Sequence, residues 1–288
     1  MAQVGTSSGF RWMAAPAVIF SAAMIAFPLA YAVWLSLSDV VLGSDPQFAG
    51  LGNFKRLLAD AEFWNGLHLT LVLYVVSLAL QMILGTWLGL LLARTQFARG
   101  FIRTVMVSPF MLPPVVVGMM AIVILDPSFG IANWLLASLG LPPGLWLADP
   151  STVVATIAAL DTWQWTPFVA LIVMGGYLSL PSDVFEAAEI DGASGWQRFR
   201  LVTLPLLLPT LVTAAVLRSV DLLRLFDIIY LTTQGGPGTS STTLNILAYR
   251  RAFEFSDLGY ASAIMVTLST IVFGSVLVFA RLRKAVAW

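Results

Sequence analysis

Six long apolar runs decide what this chain can fold into. They are approximately Ala14–Leu37, Leu69–Ala93, Thr104–Leu125, Thr152–Leu180, Pro205–Leu231 and Ala261–Ala280. At 1.5 Å per residue, about 20 helical residues cross a ~30 Å hydrocarbon core, and every run reaches that length. Inside lipid each backbone N–H and C=O must find a partner within the protein, so a spanning segment is a helix or a strand of a closed barrel. The two-residue alternation of a barrel strand is absent. The expected fold is therefore all-α, an integral membrane bundle of six transmembrane helices. Composition agrees, with 59% hydrophobic and 10% charged residues, against about 25% charged in soluble domains.

The same residues exclude several chemistries. There is no cysteine, which removes disulfides, thiolate metal sites and cysteine nucleophiles. The one histidine, His68, is given no role, and no metal site is expected. Fifteen basic residues balance fifteen acidic ones, so no basic field points to nucleic acid. A phosphate-binding loop needs a glycine-rich turn followed by Lys and Ser or Thr. The lysines are Lys55 and Lys284, and neither follows such a turn. The stretch Trp12–Leu37 runs 26 residues without a charge, longer than the ~7–15-residue apolar region of a cleaved signal. It reads as a retained first helix.

Orientation follows from the basic residues between the runs. Arg11, Arg94, Arg99, Arg103, Arg198, Arg200, Arg281, Arg283 and Lys284 fall on one side, nine in all, against Lys55, Arg56, Arg250 and Arg251 on the other. The positive-inside rule then places both termini in the cytoplasm, together with the polar island at residues 182–204. Trp12, Trp34, Trp146 and Trp288 fall near the expected interfaces. The loops leave no room for a second folded domain, so residues 1–288 read as one multi-pass transmembrane domain.

The island itself reads SDVFEAAEIDGASGWQRFRLVTL. Asp183 is a candidate helix cap, and Glu186 adds negative charge near the positive end of the helix dipole. Gly192 suits a left-handed stop, and Ser194 can cap a second short helix carrying Trp196, Arg198 and Phe199. Pro205 and Pro209 suit the first turns of the next span. The result is a helix–turn–helix knuckle on the cytoplasmic face. Ala187 and Ala188 keep its surface low enough for another protein's backbone to approach.

Glu186-Ala187-Ala188, then Asp191-Gly192-Ala193, closing on Leu204-Pro205, resembles the EAA loop of ABC-importer permeases. Three further segments carry the likeness: Gly52-Asn53-Phe54, Asp161 through Phe168 (DTWQWTPF), and Phe226-Asp227 with Leu231-Thr232 and Gly235-Gly236-Pro237. The chain is similar over nearly its whole length to the sugar-type permeases of binding-protein-dependent importers, the group that holds the maltose and trehalose permease subunits. This resemblance implies a type I importer-permease fold in a bacterial cytoplasmic (inner) membrane. It implies four kinds of surroundings: a second homologous permease subunit, a dimer of ATPase subunits that binds ATP and Mg, an external solute-binding protein, and the lipid bilayer. No cofactor is expected on this chain. It assigns coupling to the ATPase to Glu186, Ala187, Ala188, Asp191 and Gly192. It also places a solute pocket near mid-membrane, at positions matching Phe110, Pro114, Gln164, Trp165, Phe168, Arg218, Leu222 and Leu225. At Arg218, Leu222 and Leu225 the maltose permease has small polar or amide side chains, which argues against maltose itself.

The fifth run carries Arg218, Asp221, Arg224 and Asp227. Ionisable groups in a span cost roughly 2.5–3.5 kcal/mol each on insertion scales, so they face a bundle interior or water. Their spacing of three allows Arg218–Asp221 and Arg224–Asp227 pairs. Two readings stay open: structural neutralisation, or contact of Arg218 and Asp221 with solute. Trp165 and Phe168 are open in the same way, as packing or as stacking faces for a sugar. Gly85 and Gly89 form a GxxxG pattern that permits close helix approach. The leading expectation is import of a carbohydrate, whether sugar, oligosaccharide or polyol. The alternatives are glycerol 3-phosphate in the same machine, with Arg218 or Arg224 meeting the phosphate, and an ion-driven carrier using the intramembrane carboxylates.

Overall fold

The computed structural model describes residues 8–41, 43–95 and 99–286. Trp288 and the Trp12 side chain, both assigned above to interfaces, lie outside what is described. The chain divides into two compact units, Met1–Asp60 with Ala248–Thr267, and Ala61–Leu247 with Leu268–Trp288.

The first unit begins with α1 (Ser8–Ser36), whose span Ala15–Ser36 has no buried share. A two-residue antiparallel ladder follows, β1 (Ser38–Asp39) on β2 (Gln47–Phe48), and then α2 (Gly52–Ala59). Asn53, one of the residues quoted for the family likeness, explains its own presence here. It is buried, and its amide donates to the carbonyls of Ser36 at 3.1 Å and Ser38 at 2.9 Å. Those carbonyls lie at and just past the end of α1, where no helical N–H reaches them. A Cβ at Gly259 would lie 2.3 Å from the Ser38 carbonyl oxygen, so only glycine fits. Arg56 pairs with Asp257 at 2.6 Å, and the Tyr260 hydroxyl donates to Asp60 at 2.5 Å.

The second unit holds α3 (Ala61–Arg94), α4 (Arg99–Met111), α5 (Pro114–Ile124), α6 (Ile131–Ser138), α7 (Val153–Leu178), α8 (Ser182–Ile190), α9 (Gly195–Arg198), α10 (Leu204–Leu223) and α11 (Asp227–Thr232). A short α12 (Leu244–Tyr249) and the long α13 (Leu258–Val286) complete the chain. Five stretches among the described residues are long and apolar enough to span as they stand. The third run departs from the expected single helix. It is two helices, α4 and α5, bent by 92° at Leu112-Pro113. Pro113 and Pro114 have no N–H to continue the ladder, so carbonyls upstream lose their partners. At the bend the Val116 N–H turns to the Pro113 carbonyl, and Gln164 of α7 serves the Leu112 carbonyl instead, its amide donating at 2.8 Å.

Helices α3, α7 and α10 form the tight centre of this unit. Small residues let their backbones meet. A Cβ at Gly85 would sit 2.6 Å from the Val169 side chain, and one at Gly89 would sit 2.6 Å from the Ala170 carbonyl oxygen. Gly176 stands in the same relation to Thr210 of α10, at 2.6 Å. One apolar core gathers Leu90, Val169, Val173, Leu207 and Ala214; a second gathers Leu73, Val117, Val153, Ile157, Ile228 and Ile246. The fifth run also differs from expectation. It breaks at Arg224, which caps α10, and resumes as α11 at Asp227. The expected Arg224–Asp227 pair is therefore not among the ion pairs of the described residues, because the break removes the helical spacing that would bring the two together.

Candidate functional site

The knuckle is built by caps. Helix α8 starts after Pro181 rather than on Asp183, which falls in the first turn, still beside the positive end of the dipole. It ends in a left-handed Gly192, with φ +72°. There the Ala193 N–H donates to the Ala188 carbonyl and the Gly192 N–H to the Glu189 carbonyl, each at 3.0 Å. That reciprocal pair is the Schellman closure, and it needs a residue tolerant of positive φ. Ser194 then caps α9 in a full capping box with Gln197. Arg198 pairs back to Glu189, tying the two short helices together.

A wide-turn π segment, Phe199–Thr203, joins α9 to α10 without a break. Pro205 follows at the start of α10, and the loosened coil leaves room for its ring. Of the expected coupling residues, Glu186, Ala187, Asp191 and Gly192 are exposed and Ala188 is half-buried. Ile190 and Trp196 also face outward, at 86% and 67% exposure. The tilted contact of Phe185 with Tyr177, centroids 5.5 Å apart, fastens α8 to α7.

Above the knuckle, α3, α7 and α10 share a buried ionic cluster. Arg218 is 1% exposed. Its Nε donates to the Gln81 side-chain oxygen at 2.8 Å, and its Nη2 lies 3.1 Å from an Asp161 carboxylate oxygen. Gln81 in turn donates from Nε2 to that same Asp161 oxygen at 2.6 Å. Asp221 accepts from Nη1 at the longer distance of 3.4 Å, and its side chain is 53% exposed. Trp165 lies across the guanidinium, 4.3 Å from ring centre to Cζ. Arg218 is thus held on all sides. Its principal partner is Asp161 on α7 rather than the neighbouring Asp221.

Trp165 also joins an aromatic trio with Phe110 and Phe168, centroids 5.3–5.9 Å apart. All three are half-buried, and Trp165 joins the trio to the ionic cluster. The other residues assigned to the pocket are placed less alike. Pro114 is half-buried at the first position of α5, and Leu225 is half-buried just past α10. Leu222 is 1% exposed, and so is Gln164, whose amide is committed to Leu112. Sequence reasoning quoted Asp161 only as part of a motif and passed over Gln81. A signal for Asp161 was present, since it is the one ionisable residue in the fourth run and a carboxylate there demands a cation.

The chain can now be set beside known proteins. Residues 81–286 match the family model described as the binding-protein-dependent transport system inner membrane component. The chain is 36% identical to the trehalose/maltose transport system permease protein MalF of Thermococcus litoralis, over 90% of this chain and 88% of that one. It is 35% identical to the trehalose transport system permease protein SugA of Mycobacterium tuberculosis, over 93% and 85%. A chain of the bacterial alginate ABC transporter, solved in complex with an alginate pentasaccharide-bound periplasmic protein, superposes with a TM-score of 0.85 at 22% identity, covering 96% of this chain and 94% of that one. The fold is that of importer permeases, and this chain belongs to the binding-protein-dependent transport system inner membrane component family, as a membrane-spanning transport subunit.

Proposed function

We propose that this chain is one of two homologous permease subunits in the cytoplasmic membrane of a bacterium-type cell. It would pass a carbohydrate delivered by an external binding protein, with Mg-dependent ATP hydrolysis supplied by a separate ATPase dimer. The observation that carries the reading is the knuckle. Two capped helices present an outward apolar and acidic face, and the second runs without interruption into α10, the helix that holds Arg218. An element so rigid and so exposed is a docking surface joined directly to the solute path. Glu186, Ala187, Ala188, Asp191 and Gly192 form the ATPase contact, and orientation follows the nine-to-four basic bias.

For the solute, the aromatic trio supports a carbohydrate. Trp165 and Phe168 offer faces to sugar C–H groups, and Asp221 offers acceptors for hydroxyls. The two close relatives are named for trehalose and maltose transport. Arg218 does not suit a phosphate-bearing solute, because its donors are already committed to Asp161, Gln81 and Asp221; that reading would rest on the exposed Arg224 instead. The same ion pair argues against an ion-driven carrier, since Asp161 is occupied by a guanidinium.

Two measurements test this. In proteoliposomes holding the complete importer with its binding protein, trehalose uptake is expected to follow ATP and to ignore ion gradients. Trp165→Ala is expected to lower it roughly three- to tenfold, the value of one aromatic face. Uptake that follows a proton or sodium gradient would refute the reading. Separately, Glu186→Lys should abolish uptake and release the ATPase on purification. Its thermal midpoint should barely move, since exposed substitutions shift stability by about 0.5 kcal/mol or less. Wild-type uptake with the ATPase retained would remove the knuckle from the coupling role.

A further inference from the structure

An apolar cleft lies between the last turns of α3 and the knuckle. Its volume is about 580 Å³, and its walls include Met82, Ile83, Trp87, Trp196, Phe199 and Leu211. Arg94 stands at its end. From Met82 to Arg94 the helix rises about 18 Å, close to the ~15 Å half-thickness of a bilayer's hydrocarbon. We infer that this cleft binds the acyl chain of an acidic phospholipid, with the headgroup phosphate on Arg94.

Three observations carry the assignment. The first is shape. The cleft follows α3 for about 18 Å, from Met82 to Arg94. That length suits one acyl chain in a single leaflet, with its polar end at Arg94. The second is the wall. Helices that meet in this protein do so over Gly85, Gly89 and Gly176, but Ile83, Trp87, Trp196 and Phe199 leave no such approach. Ile83 and Trp87 instead continue the lipid-facing side of α3, at 67% and 64% exposure. The third is charge. No carboxylate lies within ion-pair distance of Arg94 among the described residues. Its guanidinium stands 5.8 Å over the Tyr177 ring, so several donors remain for phosphate oxygens.

The cleft also touches the knuckle. Trp196 and Phe199 form part of its wall, and Tyr177, under Arg94, meets Phe185 of α8 in a tilted contact. A lipid held here fills the gap between the docking element and α3. The assignment rests on the proposed orientation only for the leaflet that supplies the lipid, which is the cytoplasmic one.

Native mass spectrometry of the assembled importer, exposed to equal phosphatidylglycerol and phosphatidylcholine, tests it without any transport step. A failed sugar reading therefore leaves this result standing. Phosphatidylglycerol is expected to be retained about fivefold over phosphatidylcholine, the effect of one basic residue at a membrane surface. Arg94→Gln should erase the preference. Thr86→Phe, which fills the cleft, should reduce retention of both lipids while the ATPase still co-purifies. Equal retention of the two lipids by wild type, or an unchanged preference in Arg94→Gln, would overturn the assignment. So would efficient cross-linking of a benzophenone at Thr86→Cys to the second permease subunit, since protein would then occupy the cleft.

Discussion

Asp161→Ala is expected to be among the most damaging single changes in the chain. It strips the main partner from a guanidinium that is 1% exposed. Breaking a buried pair from one side costs about 3–5 kcal/mol, because the remaining charge keeps its desolvation cost without its counter-charge. The thermal midpoint of the solubilised importer should fall sharply, and uptake should go with it. Arg218→Ala should behave alike. The informative result is the double change. Asp161→Leu with Arg218→Met should recover most of the stability, since an apolar pair of similar volume replaces a neutral ionic one. Arg218→Ala with Asp221→Ala should not, because Asp161 stays buried and loses its cation. Rescue by the Asp221 double change alone would show that the neighbouring residue, not α7, holds the arginine.

The second large effect is steric. Gly89→Leu would place a Cβ 2.6 Å from the Ala170 carbonyl oxygen and 2.9 Å from the Val173 Cβ. The carbonyl belongs to helix backbone and cannot swing aside, so α3 and α7 must part. Overpacking costs about 1–3 kcal/mol and more where backbone is the obstacle. Gly175→Ala on α7 is the control. Nothing lies within 4 Å of its new Cβ, so helix propensity alone should raise stability, by up to about 1 kcal/mol. Thermal midpoints moving in opposite directions would confirm that glycine is required by contact and not by composition. Equal small shifts would contradict it.

The spans and the knuckle were legible because their signals are local. A run of 20 apolar residues and a Gly192 followed by Ser194 carry their meaning within a few turns, and the helix ends fell where those residues directed. The bend between α4 and α5 was half legible. Pro113-Pro114 announced missing donors, but the Leu112 carbonyl at the 92° turn is met by Gln164, some 50 residues later. The pairing of Arg218 was illegible for the same reason. Periodicity offers Asp221 at three residues' distance, and only the packing of α7 against α10 shows that Asp161 lies closer and more deeply buried. Gln81 and Gln164 look alike in sequence, as amides in apolar runs. One completes an ionic cluster and the other caps a broken helix.

The ionic cluster also imposes an order on biogenesis. Asp161 leaves the ribosome 57 residues ahead of Arg218. At roughly 5–20 residues per second, that is a wait of about 3–11 s. Gln81, on the earlier α3, is the one member of the cluster already in place when the carboxylate enters the membrane. The fourth span must therefore be inserted, or held beside the insertion machinery, while its acid lacks the guanidinium that neutralises it. The step that completes α10 is then the one that lets α7 settle, so the last charge to be synthesised locks a helix made seconds before it.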